Sequence, residues 1–245
     1  MLIEAAGLVK NYGRVEVIKN IGFTLNTGDI LGFLGPNGTG KTTVMRMLSG
    51  FHFPDSGVIR INGISIVENP VEFKKHIGYL PENIQFYGDM VPAEYLEFIA
   101  KMRLVPKNNI NSAIENVIDL CGLRNHEYQK IETLSRGYKQ RLGLAQAVVH
   151  NPSILILDEP MTGLDPGQIV EFRSLLAELG KTKGIIFSTH ILQEVWSICT
   201  DYLILNEGCI AANGKIERDG NQPDAQFQRN IEAVFADIGK GNTID

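Results

Sequence analysis

The sequence predicts an α/β fold in which a parallel sheet is interrupted by a helical insert. Two observations carry that prediction. Short, nearly continuous apolar runs at Ile30–Leu34, Ile154–Leu157 and Gly184–Phe187 have the texture of strands buried on both faces. Between the first two, from about residue 83 to 149, the texture turns helical, and helices also follow the runs.

Taken in chain order, Leu2–Val9 and Val15–Leu25 read as strands separated by a break at Asn11-Tyr12-Gly13. The strand Ile30–Leu34 runs straight into Gly35-Pro36-Asn37-Gly38-Thr39-Gly40, and a helix is expected from Lys41 to about Ser49. Pro92 suits the first turn of a helix carrying Tyr95, Ile99 and Met102 on one side. Further helices are expected around Ile110–Cys121 and over Gly137–Val149, the latter with Leu142, Ala145 and Val149 on one face. A helix over Pro166–Leu179 separates the last two apolar runs. Gly220-Asn221-Gln222-Pro223 reads as a loop. Phe227, Ile231, Val234, Phe235 and Ile238 then recur at helical spacing, so a short amphipathic helix is expected in the tail.

Composition excludes several classes. The chain has 245 residues, 44% of them hydrophobic and 21% charged, as in ordinary globular proteins. No apolar run reaches the roughly 18–20 residues needed to cross a bilayer. Met1-Leu2-Ile3-Glu4 lacks a basic, apolar leader, so a cytoplasmic location is expected. A net charge of -5 argues against binding nucleic acid or anionic lipid through bulk positive charge. Cys121, Cys199 and Cys209 lack metal-ligand spacing and read as buried, reduced thiols. Glycine is in surplus, 25 residues where ~17 would be usual.

Part of that surplus has a chemical purpose. Gly35-x4-Gly40-Lys41-Thr42 completes a P-loop pattern between a buried strand and a helix. Glycines let backbone amides turn toward phosphate oxygens, and the helix adds its unsatisfied amides and positive dipole end. Lys41 supplies a point charge to the terminal phosphates, the Thr42 hydroxyl can ligate Mg²⁺, and Thr43 can bond a phosphate nearer the sugar. No G-x-G-x-x-G is present, because Gly38-x-Gly40 is followed by Thr43; a nucleoside triphosphate site is implied rather than a dinucleotide site.

Ile154-Leu155-Ile156-Leu157-Asp158-Glu159-Pro160 is an apolar strand ending in two carboxylates, delivered where parallel sheets bind ligands. Asp158 is placed to hold Mg²⁺, and Glu159 is the candidate base for an attacking water. Asp165, Pro166 and Gln168 fit a helix-capping box. His190 leaves the strand end at Ser188-Thr189; alone, such a histidine is more often structural than catalytic.

Together these residues resemble the ATPase subunit of ATP-binding cassette (ABC) transporters over about residues 1–215. Gly35–Thr43 looks like Walker A, Ile154–Glu159 like Walker B, Gly163-Leu164-Asp165 like the D-loop and His190 like the switch histidine. Leu134-Ser135-Arg136-Gly137-Tyr138-Lys139-Gln140-Arg141 occupies the signature position, 23 residues from Ser135 to Asp158. The resemblance implies a P-loop NTPase core with a parallel sheet, an N-terminal antiparallel β-subdomain, a helical subdomain at 83–150 and a tail at 216–245. It implies ATP and Mg²⁺, with Tyr12 stacking on adenine. It also implies that Ser135 and Gly137 meet the γ-phosphate held by a second subunit's P-loop, so that two chains close head to tail. The expected partners are a second copy, a homodimer being favoured, and integral-membrane permease subunits that hold the chain on the inner face of the membrane.

Three positions, in two motifs, depart from the family pattern. Arg136 and Tyr138 stand where glycine and glutamine are usual in the signature, and Glu82 stands where the Q-loop has glutamine, leaving a carboxylate that can still ligate Mg²⁺. The departures, with Leu80-Pro81-Glu82-Asn83 and the tail Asn230–Phe235, resemble exporter-type cassettes associated with lipids, antibiotics, copper processing or gliding motility. A soluble single-cassette ATPase, for example in iron–sulfur assembly, and a poorly hydrolysing regulator are the alternatives. The 116 residues between Lys41 and Asp158 leave little room for a DNA-repair coiled coil.

Overall fold

Adjacent side chains of the central strands feed two different cores, which is why these strands are apolar almost throughout. The computed structural model describes residues 1–219 and 222–240. A six-stranded sheet is built from β3 (Ile30–Leu34), β6 (Ile77–Leu80), β7 (Ile154–Asp158), β8 (Gly184–Thr189), β9 (Asp201–Asn206) and β10 (Cys209–Lys215), in the order β10-β9-β3-β8-β7-β6. All but β10 run parallel to their neighbours. Ile154, Ile156 and Ile186 enter one core, and Leu155, Leu157, Ile185 and Phe187 the other. That alternation is the period of two of an extended chain.

A second, four-stranded antiparallel sheet consists of β1 (Ile3–Tyr12), β2 (Val15–Leu25), β4 (Ser56–Ile61) and β5 (Ile64–Ser65), in the order β2-β1-β4-β5. It shares its core with one face of the larger sheet and with helix α1 (Lys41–Leu48). The break expected at Asn11-Tyr12-Gly13 is tighter in the structure. Asn11 and Tyr12 still pair with Glu16 and Val15, and the reversal is Gly13-Arg14, with Gly13 at φ +61°. A two-residue hairpin needs positive φ, which glycine supplies without steric cost.

The opposite face is covered by helices. After α2 (Pro70–Lys75) come α3 (Pro92–Met102), α4 (Ile110–Leu120) and α5 (Arg136–Val148), then α6 (Pro166–Gly180) and α7 (Leu192–Ile198). In α3, Tyr95, Leu96 and Ala100 are buried, but Met102 is 67% exposed. Ile99 packs against the core as expected, so the expected stripe fails only at Met102, the last residue of the helix. Leu142, Ala145 and Val149 are buried as expected, and Gly143, Leu144 and Ala147 join them. Cys121 and Cys199 are buried, whereas Cys209 is exposed on β10, the edge strand, contrary to expectation.

In the tail, Arg218–Asp219 pair with Gln222–Pro223, so part of the expected loop is a hairpin; Gly220 and Asn221 lie outside the described residues. The helix α8 (Ala225–Lys240) has 16 residues, and Ile231, Val234, Phe235 and Ile238 pack on the larger core. The side chain of Phe227 also lies outside the described set. Among the described residues, no helix is long and apolar enough to cross a membrane.

The helical layer meets the sheet closely at Gly78 of β6, where an added methyl group would overlap the carbonyl oxygen of Ala147 in α5. Gly78→Ala is therefore expected to cost about 1–3 kcal/mol by overpacking, seen as a thermal midpoint lowered by roughly 2–10 °C. An unchanged melting curve would show that α5 can move away freely.

Candidate nucleotide site

The register of three adjacent strands assembles the site. Leu34 of β3 pairs with Thr189 of β8, and Asp158 of β7 pairs with Ser188 of β8. Gly35, Glu159 and His190 therefore leave the sheet side by side, although they lie far apart in sequence.

The phosphate loop follows β3. Gly35 donates its amide to Thr189 O at 3.3 Å, and a Cβ here would overlap the carbonyl oxygen of Leu205. Gly40 caps α1 at φ +104°, with Ile18 Cδ1 only 2.6 Å from where a Cβ would stand. Positive φ and close packing both demand glycine at that position. Thr39 is buried and donates to Pro36 O at 3.0 Å, fixing the loop from behind. Lys41, 6% exposed, donates Nζ to Gly35 O at 2.7 Å and Pro36 O at 3.1 Å, with Glu159 Oε1 3.6 Å away. Burial pulls the Lys41 ammonium below its ordinary pKa, and the Glu159 carboxylate opposes that shift.

Asp158 is 1% exposed and receives Ser188 Oγ at 2.6 Å and Thr42 Oγ1 at 3.3 Å. Burial raises its pKa, and the two hydroxyl bonds act in the opposite direction. Glu159 adopts φ +48°, unusual for a side chain of its size, and donates its amide to Ser188 Oγ at 2.9 Å. Its Oε2 accepts from Thr162 Oγ1 at 3.1 Å and stands 3.0 Å from His190 Nδ1.

One cavity of about 410 Å³ is lined by Asn37, Gly38, Gly40, Lys41, Thr42, Thr43, Glu82, Glu159 and His190, joined by Val17 and Thr162. Asp158 lines an adjoining cavity together with Thr42 and Glu82. Gly35, Pro36 and Thr39 form the loop behind. Tyr12 stands apart at the hairpin tip, 44% exposed, with its ring edge-on to His52 at 6.1 Å. Ser135, Gly137 and Asp165 also lie outside the cavity lining. Ser135 is exposed at the N-cap of α5. Asp165 caps α6, accepting from Gln168 N at 2.9 Å while Gln168 Oε1 accepts from Asp165 N at 3.3 Å.

The hydroxyls of Ser188 and Thr162 and the contact of Val17 escaped the sequence reading. Their only signal is proximity: Ser188 lies two residues before His190, and Thr162 three after Glu159. Glu194 escaped it as well. This buried carboxylate accepts from Thr189 Oγ1 at 2.5 Å, and Thr189 Oγ1 in turn accepts from Ile191 N at 3.0 Å, fixing the backbone around His190. Among the described residues, no three His, Cys, Asp or Glu side chains converge into a metal cage.

A parallel sheet, a glycine loop feeding a helix, and a buried lysine beside two strand-end carboxylates define a P-loop nucleotide-binding protein. The family model for "ABC transporter" matches residues 18–162. The ABC transporter ATP-binding protein YxlF of Bacillus subtilis (strain 168) is 36% identical over 216 residues, covering 88% of this chain and 72% of that protein. The bacitracin transport ATP-binding protein BcrA of Bacillus licheniformis is 39% identical over 209 residues, covering 84% and 67% respectively. A solved ATP-binding subunit of an ABC transporter superposes with a TM-score of 0.84 at 25% identity, over 98% of this chain and 100% of that one. The chain belongs to the ABC transporter family and is one of its ATPase subunits.

Burial raises the pKa of Glu194, with the Thr189 hydroxyl bond, Arg173 and His190 lowering it and Glu159 raising it. A carboxyl whose folded pKa exceeds its unfolded one favours the fold below the unfolded value, and loses that contribution as pH rises through the folded value. Glu194→Gln keeps an acceptor for Thr189 and removes the charge. It is expected to raise the thermal midpoint near pH 7 by about 2–4 °C, roughly 1 kcal/mol, and the gain should disappear below about pH 4. A midpoint unchanged or lowered at neutral pH would contradict this.

Proposed function

We propose that this chain hydrolyses MgATP to drive a separate membrane permease, acting as an exporter subunit with a second copy of itself. The observation that carries the reading is the convergence of Lys41, Thr42, Glu159 and His190 on one cavity, with Asp158 immediately behind. The α- and β-phosphates would lie along the Gly35–Gly40 amides at the head of α1, and Lys41 would meet the terminal phosphates, exchanging its loop carbonyls for a stronger charge partner. Thr42 and Asp158, with Glu82 beside them, offer the hard oxygen ligands that suit Mg²⁺. Their small number fits an ion held largely by phosphates and water. Mg²⁺ would neutralise charge developing on the β- and γ-phosphates.

Glu159 is the general base in this reading. It accepts a proton from water as the water oxygen bonds the γ-phosphorus and the bond to the β-phosphate oxygen breaks. Thr162 and His190 both bond its Oε2, and Oε1, which faces Lys41 at 3.6 Å, is the oxygen assigned to the water. Tyr12 is assigned to adenine. Ser135 and Gly137, at the head of α5, are assigned to the partner's γ-phosphate, and Asp165, in the D-loop, to nucleotide binding. Residues 1–215 are assigned to the cassette, with 83–150 and the Glu82 loop receiving a cytoplasmic helix of the permease and 216–245 forming the tail. In the cell this places the chain on the inner face of the membrane. The similarity to the bacitracin transport ATP-binding protein BcrA supports an antibiotic-class exporter.

Glu159→Gln is expected to lower steady-state phosphate release about 10²–10⁴-fold while MgATP still binds; undiminished turnover would remove Glu159 from the base role. A tagged chain recovered from detergent-solubilised membranes is expected to bring integral-membrane subunits with it. Recovery without any would favour a permease-free ATPase.

A further inference from the structure

Arg136 departs from the usual signature glycine, and its side chain has a definite place. Its Nη2 donates to Thr162 O at 2.8 Å, and the guanidinium lies so close over Gly163 that a Cβ there would overlap its Cζ. One helical turn further along α5, Gln140 Nε2 donates to Pro160 O at 2.6 Å in a buried bond. Positions 136 and 140 share a face of the helix. Two side chains of α5 therefore grip alternate carbonyls of one turn, Pro160 and Thr162. That turn begins at Glu159, whose Oε2 accepts from the Thr162 hydroxyl at 3.1 Å.

We infer that Arg136 is a positioning residue for Glu159: it holds the Thr162 backbone so that the Thr162 hydroxyl fixes the carboxylate toward water. Gly163, at φ +75° and without a side chain, is what lets the guanidinium lie flat on the turn. The inference rests on the base role of Glu159 proposed above. It adds a path within one chain from the head of α5, the point assigned to the partner's nucleotide, to this chain's own carboxylate. A movement of α5 as the partner's phosphate binds would pull on the Thr162 carbonyl and re-aim Glu159. Arg136 itself transfers no proton and touches no substrate in this arrangement.

The test is a double-mutant cycle on the full chain, with Arg136→Met, which keeps an unbranched stem but no donor, and Thr162→Val, which removes the hydroxyl. Phosphate release gives kcat and KM for MgATP, a fluorescent ATP analogue reports binding, and melting curves check folding. Each single variant should lower kcat about tenfold or more, since small misplacements near the reacting atoms cost that much, with KM changed less than about twofold. The double variant should be no worse than the poorer single one, as expected for residues acting through one path. Arg136→Lys, which can still donate to Thr162 O, should recover most of the rate. Multiplicative losses, a change in KM alone, full activity in Arg136→Met, or no recovery in Arg136→Lys would each overturn the inference. If Arg136→Met melts early, Arg136→Ala replaces it in the cycle. Glu159→Gln measured in parallel separates the two layers. Turnover persisting there refutes the base role itself, whereas an inactive Glu159→Gln beside fully active Arg136 variants refutes only the link.

Discussion

The whole site depends on three parallel strands ending at one level. β8 lies between β3 and β7, and the pairs Leu34 with Thr189 and Asp158 with Ser188 bring their ends together. A one-residue slip of either strand would turn Asp158 or Ser188 to the opposite face of the sheet. It would also exchange the apolar residues that the strands send to the two cores. Burial on both faces thus enforces the register, and the register delivers the lysine loop, the carboxylates and the histidine to one place.

The charges at those strand ends are held under tension. Asp158 and Lys41 are both nearly sealed from water, and burial disfavours the charged form of each. Each is sustained by hydrogen bonds to neutral oxygens, Ser188 and Thr42 for the one, Gly35 and Pro36 for the other, with the Glu159 carboxylate 3.6 Å from Lys41. Such an arrangement is expensive for a folded chain and suits a ligand bearing both negative phosphates and a divalent cation. The left-handed backbone at Glu159 belongs to the same pattern, strain placed at the residue to which the proposed function gives the base role.

Much of this was legible in the sequence because the signals are local. The glycine loop between strand and helix, the apolar strand closing in Asp158-Glu159, and the capping pattern at Asp165 each stand within a few consecutive residues, and the fold class followed from the spacing of apolar runs. What stayed hidden depends on the partners of distant segments. Ser188 matters because β8 inserts between β3 and β7, an order no local pattern encodes. Arg136 departs from the signature glycine in sequence, and its place over Gly163 depends on a contact between α5 and the turn after β7 that no local pattern encodes. Met102 was expected inward because periodicity does not reveal where a core ends. Cys209 was expected buried because an edge strand such as β10 cannot be told from an inner one by its composition.

The head of α5 does not join the phosphate loop in lining the cavity of about 410 Å³, and in the proposed function each chain offers two half-sites that a second chain completes. Mixing two inactive variants tests it most directly. Lys41→Ala disables a phosphate loop and Ser135→Arg a signature end. A mixed dimer of the two would pair the intact loop of one chain with the intact signature of the other, so phosphate release should reappear on mixing. A mixture as inactive as its separate components, under conditions where the native chain turns over, would contradict the account.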